Sequence, residues 1–272
     1  MKSDRKSHWR TFQEGTCHAL YFKAEKMKYR HTFLWTLMLL MPAVCALLSA
    51  LLTYNYFAMD GYNWWYMMML PGFLAIVCSL IGGKDLKKEN RTIWALPADM
   101  GKIWDAKILL SAAITGIATL ALMILVFLGT AVMERGFAVT FTNPPSVGSQ
   151  LLAAFLIWLT SLWQIPFCTF LAQKMGTLVM IIVSLGFSQI FGALISLKSW
   201  FFLLPYGITP RVMCPVLKTL PNGLPAVPGQ ITYAPELMSV AAAAMGVAAS
   251  LLWFAALWYF SRKWFEGQVE GE

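Results

Sequence analysis

Residues 108–133 read ILLSAAITGIATLALMILVFLGTAVM, twenty-six positions without one charged side chain. As a helix this stretch measures about 39 Å, more than the ~30 Å hydrocarbon core of a bilayer. Five further charge-free runs flank it, at about 33–57, 64–82, 149–172, 176–197 and 238–260. Backbone amides in lipid must bond within their own segment, so runs of this kind are read as helices. The chain is therefore expected to be an all-α integral membrane protein with six transmembrane helices. Its composition agrees, being 58% hydrophobic and only 12% charged, against about 25% charged for a soluble domain. The first apolar run starts at Phe33 and exceeds a normal signal-peptide core, so no cleaved signal is expected.

The cations set the orientation. Of 21 Lys and Arg, seventeen lie before the first run, between the second and third, between the fourth and fifth, or after the sixth. Only Arg135, Lys198, Arg211 and Lys218 fall on the other side. The positive-inside rule then places both termini in the cytoplasm, and the expected location is the cytoplasmic membrane. The formal charge of +8 is mostly this inner girdle. It points to the lipid bilayer and its anionic headgroups as a partner, not to nucleic acid.

Three parts follow: a cytoplasmic arm at 1–32, a six-span domain at 33–260 and a cytoplasmic tail at 261–272. In the arm, Trp9, Phe12, Leu20 and Met27 recur near helical spacing opposite Lys23, Lys26 and Arg30. This predicts an amphipathic helix lying in the headgroup layer. Pro42 and Pro71 each delete one backbone bond and are expected to kink spans one and two. Residues 58–63 read as a short outer loop, and Trp64 and Trp65 begin span two at the outer interface.

The connection at 83–107 carries both charge signs together with Ile93, Trp94, Leu96, Ile103 and Trp104. Two readings fit that mixture: a docking surface for a cytoplasmic partner, or a segment whose tryptophans anchor in headgroups. Pro97 suits the first position of a helix running into span three. Gln173–Gly176 reads as the tight turn between spans four and five. Gln164 and Gln189 are neutral polar groups within those spans, fit for helix–helix hydrogen bonds or for substrate contact. The small residues Ala241–Ala244, Gly246, Ala248 and Ala249 predict a face on span six for close packing within the chain or against a second permease.

The outer segment 198–236 holds seven prolines. Its start, Trp200 to Leu204, is too short to cross and is expected to dip into the outer leaflet and return. As the one large outer surface, the segment is expected to carry substrate selectivity, with Asn222-Gly223 as a positive-φ turn. Asp60, Glu134 and Glu236 are its side's only acids.

Several chemistries are missing from the sequence. There is no nucleotide-binding G-x-x-x-x-G-K-[ST], no H-E-x-x-H and no G-x-S-x-G. Five cysteines without a C-x-x-C, and three histidines ten and thirteen residues apart, suit apolar packing and interfacial positions better than a metal site. No cofactor is expected and no catalytic residue is assigned. None of the six runs holds an ionisable residue, which argues against a proton-coupled carrier.

Residues 21–28, Tyr-Phe-Lys-Ala-Glu-Lys-Met-Lys, resemble the helix that leads into the first span of type-two ABC exporter permeases. The pattern Glu89…Leu96-Pro97…Lys102-Ile103…Ala106-Lys107 resembles their coupling region. The stretch Pro205-Tyr206…Arg211-Val212-Met213-Cys214-Pro215…Leu220-Pro221-Asn222-Gly223-Leu224-Pro225 is similar to the lantibiotic self-immunity permeases of Gram-positive bacteria. The resemblance implies a permease subunit of an ATP-driven exporter that expels antimicrobial peptides of the lantibiotic type. It implies a separate ABC ATPase subunit in two copies and a second, non-identical permease. Asp85, Glu89, Trp94, Leu96, Pro97, Lys102 and Lys107 would couple to the ATPase, with Glu25 and Lys28 on the lead-in helix. Trp64, Trp65, Gln164, Gln189, Tyr206, Arg211 and Asn222 are the candidate substrate contacts. A secondary carrier for a small solute, and a membrane peptide sensor or scaffold, are the competing readings.

Overall fold

The computed structural model describes residues 18–86, 98–142 and 144–268. It is 82% helical. Among the described residues six helices are long and apolar enough to cross a membrane. A short helix, α1 (18–28), precedes them. Span one is α2 (Leu34–Leu52). Span two joins α3 (Phe57–Trp64), a π turn (Trp65–Met69) and α4 (Leu70–Leu86). Span three is α5 (Met100–Phe137). Span four is split into α6 (Val147–Ser161) and α7 (Gln164–Met175). Span five is α8 (Thr177–Ser196). A buried helix, α9 (Ile208–Leu217), precedes span six, α10 (Val240–Gly267).

The prolines explain two of the irregularities. Pro71 has no N–H for the carbonyl of Met67 one turn back, and the π turn sits just ahead of it. The released Met67 carbonyl accepts from Ser188 Oγ at 3.1 Å and Gln189 Nε2 at 2.8 Å. Pro166 acts likewise on Leu162, and span four breaks at Leu162 and Trp163. Between α7 and α8 the turn is a single residue, Gly176, at φ 85° and ψ 163°. Only glycine occupies that region without strain.

Helix α4 is the centre of the bundle, packed on α7, α8 and α5; Phe73, Leu74, Ala75, Val77 and Cys78 are fully buried. Along α5, Ser111, Thr115 and Thr119 form a buried polar stripe, each hydroxyl bonding the carbonyl four residues back. Trp65 Nε1 donates to Thr119 Oγ1 at 3.2 Å.

Three expectations need correction. Residues 58–63 are not a loop but the body of α3. Trp65 is not an interfacial anchor, because it is fully buried against α5. Helix α5 opens at Met100 with Asp99 as its cap, the side chain accepting from Lys102 N. Pro97, expected as the first residue of that helix, lies outside the described residues. The segment 198–236 is not mainly an outer surface. Its first half folds into the bundle, where Trp253 Nε1 donates to the Phe202 carbonyl at 3.2 Å and Thr160 meets Thr209 at 2.9 Å. Thr160 and Trp253 lie midway along spans four and six, so this segment reaches about the middle of the bundle before α9 carries it back. The expected dip is thus deeper than one leaflet surface. Gly246 of span six packs against Phe201, Ile208 and Val212 of this segment, while Ala241, Ala244 and Ala248 are exposed.

An even number of crossings leaves both ends of the chain on one side. The end of the bundle carrying α1, the start of α5 and the end of α10 is called the basic end below. If it faces the cytoplasm, a cysteine at position 90 (Asn90→Cys) reacts with an impermeant thiol reagent only after the cells are permeabilised. Rapid labelling on intact cells would reverse the orientation.

Candidate functional site

Near the end of α4, side chains from three other parts of the chain bond carbonyls of the helix. Tyr29 Oη, just after α1, donates to the Ile81 carbonyl at 2.8 Å. Lys107 Nζ of α5 reaches the same oxygen at 3.3 Å. Gln173 Nε2 of α7 donates to the Gly82 carbonyl at 3.1 Å. Cations at a helix C-terminus also suit its dipole. Lys84 adds to this by donating to the Lys28 carbonyl and lying over the Tyr29 ring at 4.7 Å.

At this junction four charged side chains meet. Lys107 is fully buried and Glu25 is 3% exposed. Lys107 Nζ bonds Asp85 Oδ2 and lies 3.2 Å from Glu25 Oε1. Lys28 Nζ lies 2.9 Å from Glu25 Oε1 and 3.1 Å from Asp85 Oδ2. Two cations and two carboxylates balance, which is the condition for keeping such groups out of water. Burial would depress the Lys28 ammonium, but Glu25 and Asp85 outweigh it and hold Lys28 above its ordinary value. Its contribution is therefore complete below the unfolded value and is lost only as pH rises through the raised one. Burial first, then the two carboxylates, pushes the Tyr29 phenol far above its usual range, so it stays a donor.

The start of α5 is gripped from its other side by α10. Trp258 Nε1 donates to Asp105 Oδ1 at 2.7 Å, and Arg262 Nε lies 3.5 Å from Asp105 Oδ2. Trp104 donates to Ser261 Oγ at 3.1 Å and stacks on Phe265 at 5.0 Å. Tyr21 Oη accepts from Asp99 N at 3.1 Å. The two ends of the connection between spans two and three are thus fastened to α1, α7 and α10. Glu89, Trp94, Leu96 and Pro97 lie outside the described residues. Lys102, on the first turn of α5, faces Asp99 at 3.8 Å. Glu25, Lys28, Asp85 and Lys107, assigned from separate stretches of sequence, form one cluster.

The seven candidate substrate contacts do not converge. Tyr206 packs edge-on against Trp163 at 4.7 Å and reaches Ser184 at 3.5 Å; Gln164 follows Trp163 and is 5% exposed. Gln189 serves the Met67 carbonyl on the same helix as Ser184. Trp65 is buried against Thr119, and Trp64 is half-buried beside it. Arg211 is buried, donating to the carbonyls of Ser196 at 3.1 Å and Glu236 at 2.8 Å, with Phe201 beneath it. It braces the inserted segment and does not face outward. Asn222 sits at the tip of a small hairpin and accepts from Leu224 N at 3.2 Å. The positive φ of that turn is at Gly223 alone.

Sequence reasoning missed several members of these networks. Tyr29 and Gln173 look like ordinary interfacial residues until the end of α4 is placed beside them. Asp60 was read as a loop acid, yet it is 8% exposed inside a helix of span two, with the Gly223 backbone of the hairpin against it. Asn63 donates to Tyr66 Oη at 2.8 Å and to the Leu220 carbonyl at 3.4 Å. Asp60 stands about 4.5 Å from the start of the span-two helices, which places it near the edge of a ~30 Å core rather than at its centre. Asp85 and Lys107 also lie within the long helices, at their basic ends. The described residues hold no group of His, Cys, Asp and Glu fit for a metal ion.

Comparison with protein-family models, with curated proteins and with solved structures returned no match.

Proposed function

We propose that this chain is the membrane-embedded permease subunit of an ATP-driven exporter of lantibiotic-type peptides, acting with a separate ABC ATPase. The observation that carries the reading is how the helix ends that flank residues 87–97 are held. The end of α4 and the start of α5 are tied to α1, α7 and α10 through the Glu25–Lys28–Asp85–Lys107 cluster, the Gln173–Gly82 bond and the Asp105–Arg262 contact. A cytoplasmic partner pushing on this segment would move span two, span three and the lead-in helix together. A mere connector between two spans has no use for three buried charges and a half-buried fourth at its root, whose desolvation costs several kcal/mol per buried ion (order of magnitude) before pairing. The neutral interior supports the same reading, since the charges lie toward helix ends and the middle of the bundle holds Ser, Thr and Gln. Energy then comes from outside the chain, from a subunit that hydrolyses ATP.

The location implied is the cytoplasmic membrane, with a second permease completing the pathway. Glu89→Ala combined with Leu96→Asp is expected to leave the chain in the membrane and to abolish co-purification of the ATPase. Undiminished ATPase binding by this variant would favour the headgroup-anchor reading of the connection.

A further inference from the structure

Helix α1 separates its charges. Glu25 is the single acid between residues 18 and 59, and it is turned inward to Lys107. Lys23, Lys26 and Arg30 are exposed. Among the described residues no carboxylate pairs with any of the three. They surround a cavity of about 580 Å³ whose remaining wall is Met27 and Trp35. The wall is held in place: Trp35 Nε1 donates to the Tyr29 carbonyl at 2.9 Å, and Lys26 Nζ lies 5.8 Å above the indole ring. One turn further along α2, Leu39 is exposed and continues the apolar track into the bilayer.

We propose that this cavity is a binding site for one anionic phospholipid. The phosphate sits among Lys23, Lys26 and Arg30, and an acyl chain runs over Trp35 and Leu39. Cations at headgroup height attract anionic lipid, and a site with three cations and an adjoining apolar wall matches a molecule that carries both a phosphate and a hydrocarbon tail. A soluble phosphate would use the cations and leave the wall unused. The inference rests on the membrane reading of the fold and is independent of the exporter proposal.

The test is native mass spectrometry of the full chain in neutral detergent, titrated with phosphatidylglycerol or with phosphatidylcholine of the same acyl chains. The wild type is expected to retain one phosphatidylglycerol at a concentration at least about tenfold lower than phosphatidylcholine. Lys23→Gln, Lys26→Gln and Arg30→Gln together should bring the two lipids to the same level, while Lys23→Arg with Lys26→Arg keeps the preference. Lys26→Gln alone, which leaves most of the helix charge in place, should weaken phosphatidylglycerol retention about threefold or more. Lys198→Gln with Lys218→Gln, at the opposite end, should change nothing. Equal retention of both lipids by the wild type, or an undiminished preference in the triple or the single variant, overturns the proposal. Displacement of the lipid by excess free glycerol phosphate would assign the cations to a soluble anion and would overturn it as well.

Discussion

Replacing Lys107 with Met is expected to destabilise the protein by about 3–5 kcal/mol. The ammonium is fully buried and serves three oxygens on two other elements: Asp85 Oδ2, Glu25 Oε1 and the Ile81 carbonyl. Methionine fills similar space, so packing changes little. What remains is a pair of sequestered carboxylates with Lys28 as their one cation, and the Lys28 side chain is one-third exposed. Removing one partner of a buried pair costs far more than removing both, because the charge left behind stays desolvated. Lys107→Met with Asp85→Leu keeps the Glu25–Lys28 pair balanced and is expected to recover most of the loss. Denaturant unfolding in detergent measures both variants. The free-energy change should be accompanied by faster proteolysis of residues 18–28, since the cluster is what fastens α1. A Lys107→Met protein as stable as wild type would mean that the charges are not sequestered.

The second large effect is expected at Arg211. Its guanidinium donates to the carbonyls of Ser196, which ends span five, and Glu236, which precedes span six. It thereby ties the root of the inserted segment to both flanking spans. Hydrogen bonds from a charged donor contribute about 1.5–3 kcal/mol each; truncation removes both, and leaves Glu236 with its weaker bond from Ser239 N at 3.3 Å. Arg211→Ala should therefore cost about 3 kcal/mol or more. Arg211→Lys should recover little, because one ammonium on a flexible stem does not reproduce the planar fork. Cys214 reports the same event independently. Its thiol is fully buried and donates to the Pro210 carbonyl at 3.3 Å. It should be inert to thiol reagents in the wild type and react in Arg211→Ala as α9 opens. Unchanged stability together with an inert Cys214 would show that the inserted segment is held by packing alone.

The six spans were legible because hydrocarbon thickness imposes a minimum length on uncharged helix, and the sequence meets it six times. Their ends were less legible. Asp60 and Asn63 interrupt the hydropathy of α3 and so read as loop, yet the hairpin around Gly223 covers them. That cover comes from residues about 160 positions later in the chain, which no local pattern announces. The inserted segment shows the same limit. Proline-rich sequence between two spans suggests an outer loop, whereas the burial of Ile208, Val212 and Met213 is decided by span four and span six closing around it. Resemblance marked Glu25, Lys28, Asp85 and Lys107 as members of two separate regions. Their union in one cluster depends on α1 lying beside the end of α4, a tertiary contact. Trp65 illustrates a different failure. Tryptophan at a span boundary is usually interfacial, but here Thr119 offers its indole a buried acceptor, and the π turn ahead of Pro71 adjoins the same ring.

The most direct measurement takes the complex co-purified with this chain from native membrane, reconstituted in vesicles, and follows a fluorescent lantibiotic-type peptide in the bilayer. The account predicts that ATP lowers the amount of bilayer-bound peptide, and that Glu89→Ala with Leu96→Asp removes the effect while insertion is unchanged. A complex that hydrolyses no ATP, or peptide levels that ignore ATP, would contradict it.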